Sequence, residues 1–243
     1  MSSIRRRDAL GSAFAFSLTV VLLVLAMIFT AVIFDSDGRQ GDLPTLHEDG
    51  RIVVIDAGHG GVDGGAVAHD GTLEKEINLE ISKVLASLMR ASGYEVVMTR
   101  CGDEMLGGSG TGGSTKMRDL KYRLETASRN PDAITVSVHC NKFPLESCKG
   151  MQVYHSDNSV ARDAAGSIKE EFLKIDPSNK REIKKADSSI YLLHRATSPT
   201  VLVECGFLSN NDELAKLKSR EYQKKLALVI LGGLDRTYEN NGL

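Results

Sequence analysis

The sequence predicts an α/β fold: a single domain with a mixed, largely parallel sheet flanked by helices, preceded by an N-terminal membrane-anchor helix. Two observations carry this expectation. From Arg51 onward, short apolar runs of strand character alternate with segments whose apolar residues recur at helical spacing, as in a chain that crosses back over a sheet after each strand. Ahead of Arg51, no charged residue occurs between Asp8 and Asp35, and residues 14–34 are almost wholly apolar. About 20 residues, each rising about 1.5 Å, carry a helix across a bilayer core.

Residues 1–35 therefore read as a short cytoplasmic stub and a transmembrane signal-anchor. Arg5, Arg6 and Arg7 precede the apolar run, which puts the N-terminus in the cytoplasm and the rest of the chain on the extracytoplasmic side. A cleaved signal peptide is the competing reading, but its apolar region spans about 7–15 residues and ends at a small-x-small site. This run is longer, and residues 30–34 offer no such site. Residues 36–50 are polar and read as a linker, leaving 51–243 as the folded domain.

Within that domain Ile52–Ile55 is the first strand. Ile77, Ile81, Val84, Leu85 and Leu88 keep helical spacing, and Gly93 ends that helix. Tyr94–Met98 is a second strand. Residues 102–115 are rich in Gly and Ser and predict a mobile loop. A helix over Lys116–Arg129 is punctuated by Asn130-Pro131 before the apolar run from Ala133 to Asn141. Gly150–His155 adds a strand and Val160–Leu173 a helix, while residues 176–187 are polar and charged and read as surface. Another strand runs through Thr200–Glu204. Asn210-Asn-Asp-Glu213 has the form of a capping-box start, and a last helix is expected near Glu221–Leu234.

Composition excludes some functions. A formal net charge of −2 gives no reason to expect nucleic acid or an electrostatically driven partner. Trp is absent, so aromatic platforms for sugars are not obvious. Cys101, Cys140, Cys148 and Cys205 fit neither a disulfide scaffold nor a Cys-x-x-Cys metal site.

Four other residues point to chemistry. His59 ends the run Arg51-Ile-Val-Val-Ile-Asp-Ala-Gly-His59, and His139 ends Ala133-Ile-Thr-Val-Ser-Val-His139. Glu204 ends Thr200-Val-Leu-Val-Glu204, and Glu74 opens the first helical pattern. In open α/β sheets ligands bind beyond the carboxyl ends of strands, where three of these residues lie. Catalytic zinc takes three ligands from His, Glu or Asp and keeps a position for water. Two histidines and one glutamate meet that need, and the second glutamate is left to handle protons. Gly58, Gly60 and Gly61 let the backbone crowd near a metal, and Asp56 or Asp63 could orient a histidine ring. Strand alternation puts Cys140 and Cys205 on the opposite face, as core thiols.

Each signal has a bland reading as well. A lone His after a strand is more often a core or capped residue, Asp56-Ala-Gly-His59-Gly-Gly could be only a tight turn, and Glu74 could serve only the helix dipole. The turn also lacks the third Gly of a dinucleotide fingerprint. Glu204 is harder to dismiss, because a carboxylate directly after Val-Leu-Val sits where burial is expected. Their joint occurrence favours a metal hydrolase.

Asp56-Ala-Gly-His59-Gly-Gly, Gly71-x-x-Glu74-Lys, Ser137-Val-His139-x-Asn141 and Val203-Glu204-x-Gly-Phe-Leu-Ser-Asn210 resemble the motifs of the zinc N-acetylmuramoyl-L-alanine amidases, in the family's order and over residues 51–234. The resemblance implies that His59, Glu74 and His139 bind Zn2+, that Glu204 is catalytic, and that residues 51–243 form a zinc amidase catalytic domain. Thr99-Arg100, Arg123 and Arg195 match recurring family positions; Ser128 stands where Asn is common. Arg195 is expected either at the substrate, on a carboxylate or oxyanion, or in a structural ion pair. Within the family the chain is most similar to germination-specific amidases of spore formers. That implies hydrolysis of the bond between N-acetylmuramic acid and L-alanine in cortex maturation and germination. Expected partners are peptidoglycan, the membrane through the N-terminal helix, and an activator protein. Another cell-wall zinc hydrolase, a carboxypeptidase or deacetylase, is the alternative; a non-catalytic peptidoglycan-binding protein is a second one, but it would need no general base.

Overall fold

The computed structural model describes residues 50–108 and 114–243. The expected anchor at 14–34 lies outside these residues. Among the described residues no helix is long and apolar enough to cross a membrane.

Twelve elements follow one another: β1 (Ile52–Ala57), α1 (Glu74–Ala91), β2 (Glu95–Met98), α2 (Thr115–Ser128), β3 (Ile134–Asn141), β4 (Gln152–His155), α3 (Ser159–Ile175), β5 (Lys184–Lys185), α4 (Tyr191–Arg195), β6 (Thr200–Phe207), α5 (Asn211–Lys218) and α6 (Arg220–Asn241). They build one six-stranded sheet in the order β2-β1-β3-β6-β4-β5. β2, β1, β3 and β6 are mutually parallel, β4 runs antiparallel to β6, and β5 runs parallel to β4. The mixed, largely parallel sheet expected from the alternation is thus present.

The central strands are nearly continuous Val/Ile runs because helices cover the sheet. Val53, Ile55, Val136, Val138, Val201 and Val203 face one way, into the main core with Ile77, Ile81 and Leu85 of α1, Ile168 and Phe172 of α3, and Ile230 and Leu234 of α6. Cys140 and Cys205 lie in the same cluster as free thiols, as alternation requires. The opposite face is covered more thinly. Ala127 of α2, Leu192 and Leu193 of α4 and Leu202 of β6 form a small second cluster there. Asp56, Ser137, His139 and Glu204 share this thinly covered face by alternation with their core-facing neighbours.

Several boundaries differ from expectation for identifiable reasons. α6 runs two turns past Leu234, because Tyr238 is buried and its hydroxyl donates to Ile52 O and accepts from Ile134 N. β5 has only two exposed lysines, and α4 only five residues, so neither carries a readable period. Asn210 caps α5 by accepting from Glu213 N–H at 3.0 Å, but Glu213 does not return the bond. Its carboxylate instead accepts from Gly150 N and Phe207 N, tying the β6 end to the approach to β4. The expectation of a mobile 102–115 loop is not met over 102–108, where Asp103 and Leu106 bond to Gly61 and Asp119. Residues 109–113 lie outside the description.

Candidate metal centre and active site

β1 delivers the chain into a tight turn at residues 58–61. His59 is the one non-glycine residue with positive φ (62°) among those described. Two buried arginines hold the turn from beneath. Arg123 donates to His59 O at 2.7 Å, to Ala57 O at 2.7 Å and to Asp56 Oδ1 at 2.6 Å, while its Nε reaches Asp119 Oδ2 at 2.7 Å. Arg100 donates to Ala57 O and Gly58 O. Asp56 also accepts from Thr99 and Ser137 hydroxyls. Burial alone would raise its pKa, but Arg123 and these donors hold it below the usual carboxylate value. Asp56 therefore anchors the arginine and orients no histidine. Asp63 takes the other role expected for one of the pair, with Oδ1 3.1 Å from His59 Nδ1.

Glu74, the first residue of α1, meets both histidines. Its Oε2 lies 3.2 Å from His59 Nε2 and accepts from Ala66 N; its Oε1 lies 2.9 Å from His139 Nδ1. Oε1 also accepts from Cys140 N and from Asn78 Nδ2, which donates to Gly58 O as well. Burial pushes the Glu74 pKa up, yet the two imidazoles outweigh it and hold the carboxylate far below its ordinary range. The His139 pKa is raised: burial opposes charging, but Glu74 and then Glu204 favour it. His139 has room because Gly58 lacks a side chain, as a Cβ there would come within 2.4 Å of the ring. The two rings meet edge to face, with centroids 5.0 Å apart. One ligand atom from each of His59, Glu74 and His139 lies within 4.8 Å of the others.

Glu204 sits beside His139, in register on β6. Its Oε2 is buried and has no hydrogen-bond partner among the described residues. Burial pushes its pKa up to about 7, with Glu74 adding to the rise and His139 and His59 opposing it. Two carboxylates of one site are thus driven apart, one to a permanent anion and one to a group that exchanges protons near neutrality. Two imidazoles and an anionic carboxylate, with Asp63 behind one ring, fit a catalytic zinc ion. The unpartnered Glu204 oxygen fits a group that waits for water or substrate.

The four sequence-derived residues are therefore together. Arg195 is not fixed with them: it is exposed at the end of α4, with no hydrogen bond or ion pair among the described residues. Sequence reasoning missed Asn78 and left the tasks of Arg100 and Arg123 unassigned. Asn78 had left a trace, as an amide on the buried stripe of α1 one turn after Glu74.

Known proteins resemble this chain in sequence and fold. The family of N-acetylmuramoyl-L-alanine amidases matches over residues 53–236. The germination-specific N-acetylmuramoyl-L-alanine amidase of Bacillus subtilis (strain 168) is 30% identical over 223 residues, which is 90% of this chain and 92% of that protein. The CwlD amidase from Clostridioides difficile, solved in complex with the GerS lipoprotein, matches with a TM-score of 0.73 at 36% identity, over 78% of this chain and 99% of that one. AmiC2 of Nostoc punctiforme matches with a TM-score of 0.65 at 30% identity, over 78% and 97%. With a family match over residues 53–236, this chain belongs to the N-acetylmuramoyl-L-alanine amidases, hydrolases of peptidoglycan.

Proposed function

We propose that the chain is a zinc-dependent amidase that cleaves the bond between the lactyl group of N-acetylmuramic acid and the L-alanine of the stem peptide. His59, Glu74 and His139 hold the ion, and Glu204 transfers protons. The observation that carries this reading is the convergence of three ligand atoms within 4.8 Å beside a buried carboxylate oxygen without a partner. When bound, zinc supplies Lewis acidity toward the scissile carbonyl and toward water. Glu74 contributes negative charge that Ala66 N, Cys140 N and Asn78 keep oriented. Asp63 accepts from His59 Nδ1–H and so fixes the tautomer that leaves Nε2 free to ligate. Glu204 takes a proton from the attacking water on its oxygen and returns one to the leaving amine of L-alanine. Arg195, exposed and without an ion pair among the described residues, is assigned to a substrate carboxylate.

The likeness to a germination-specific amidase and to CwlD supports a role in spore cortex maturation and germination. The CwlD–GerS complex supports a lipoprotein as a partner of this chain. We place the catalytic domain, residues 51–243, outside the cytoplasmic membrane, tethered by the 36–50 linker to an anchor within residues 1–35.

Digestion of purified cortex and vegetative sacculi with the zinc-loaded full-length protein, followed by mass spectrometry, tests the reading. Free muramic lactyl groups and new L-alanine amino termini are expected. Loss of a terminal residue from the stem peptide, or of an N-acetyl group, would assign the centre to a carboxypeptidase or a deacetylase instead.

A further inference from the structure

His59, Gly60 and Gly61 run consecutively through positive φ, at 62°, 143° and 56°. A left-handed histidine is unfavourable on its own and persists only where its surroundings hold it. Arg123 and Arg100 hold the inner side of the turn. On its outer side one ion pair grips both polar groups of Gly61. Gly61 N–H donates to Asp103 Oδ1 at 2.8 Å, and Lys75 Nζ donates to Gly61 O at 2.7 Å and to Asp103 Oδ2 at 2.7 Å.

The pair differs from an ordinary surface salt bridge, which contributes little. The Asp103 side chain is 58% exposed, but that of Lys75 is only 10% exposed, and Lys75 follows Glu74 in the first turn of α1. The backbone of 104–105 lies directly against the turn. A Cβ on Gly60 would come within 2.3 Å of Glu104 O, and one on Gly61 within 2.7 Å of Met105 N. Arg100 joins the same three segments, donating to Gly58 O, Lys75 O and Gly102 O. The strand end that carries His59, the helix start that carries Glu74 and the 100–105 segment thus form a single junction.

We propose that Lys75 and Asp103 are positioning residues of the metal centre: by gripping Gly61 they lock His59 beside Glu74 and so set the affinity of the site for its metal. This rests on the assignment of His59 and Glu74 as ligands made above. Glycine lets the turn bend, and the ion pair selects which bend is populated. Without the pair the turn relaxes toward ordinary backbone angles, and the histidine ring must be brought back each time an ion binds.

The test is zinc affinity, measured on chelator-stripped full-length protein by competition with a chromogenic chelator, well below the melting transition of the apo form. Lys75→Met keeps the apolar stem and loses both donated bonds. Asp103→Asn nearly preserves shape and keeps an acceptor for Gly61 N–H. Outer partners of metal ligands typically alter affinity by about 10–100-fold. Lys75→Met is expected in that range, Asp103→Asn at its lower end, and cobalt-loaded Lys75→Met should show shifted visible absorption. Glu80→Gln, which breaks the exposed Lys83–Glu80 pair elsewhere on α1, should match wild type. Wild-type zinc affinity and cobalt spectra in both Lys75→Met and Asp103→Asn, even with lower melting temperatures, would reduce the pair to a loop staple and overturn the proposal. A wild-type protein that takes up no stoichiometric zinc is a different failure: it removes the ligand assignment, and the pair's role with it.

Discussion

At the scale of single residues, the site separates two glutamates that look alike in the sequence. Glu74 is surrounded by N–H donors, which favour its anion; Glu204 faces burial with an oxygen left unpartnered, which favours its neutral acid. The difference predicts a pH dependence. Glu204 must be deprotonated to accept a proton from water, and its metal-free pKa is about 7. Activity should therefore rise with pH through Glu204's titration, and a bound dication nearby draws that limb to or below about 7. A kcat/KM profile recorded at constant zinc occupancy checks this. An acidic limb that persists unchanged in the residual activity of Glu204→Gln would show that Glu204 is not the titrating base.

Among the elements, the site depends on what holds β1 and its turn in place. Arg123 reaches from α2 into the face of the sheet, where it pairs with Asp56 and Asp119 at side-chain exposures of 4%, 2% and 7%. Removing one member of a buried charge cluster leaves the others uncompensated and costs about 3–5 kcal/mol. Arg123→Met should lower unfolding stability in denaturant by that order, whereas Arg129→Met, exposed one turn and a half further along the chain, should change it by less than about 0.5 kcal/mol. Equal losses would show that the cluster contributes no more than the surface does. These elements were legible to different degrees. The strands and α1, α3 and α6 were readable because burial on one or both faces imposes a period on the sequence. α4 and β5 were too short to show one. The 102–108 segment was misread because Gly and Ser describe a chain's freedom, while Asp103 and Leu106 bind partners 42 and 13 residues away. His59, His139 and Glu204 stood out because polar residues ended apolar runs, although β3 and β6 continue past His139 and Glu204 to Asn141 and Phe207. Arg100 and Arg123 act through backbone carbonyls that are distant in sequence, and no local pattern shows that.

At the scale of the whole molecule, a thinly covered sheet face carries the chemistry, and a thick helical layer on the other face supplies the core. The proposed anchor puts this domain at a membrane surface. It rests on the uncharged stretch between Asp8 and Asp35 and on the three arginines ahead of it. Full-length protein is expected in the membrane fraction at its unprocessed mass. A shortened, soluble form beginning after about residue 30 would replace the anchor with a cleaved signal.

The two glutamates divide the labour of the site, and metal analysis of purified variants beside a muropeptide release assay tests that division. Glu74→Ala should lose both zinc and turnover. Glu204→Ala and Glu204→Gln should keep near-stoichiometric zinc and lose activity by about 10²–10⁴-fold, with the glutamine variant almost as impaired as the alanine one. Zinc kept by Glu74→Ala but lost from Glu204→Ala would invert the two roles, and zinc kept with activity in both would contradict the account.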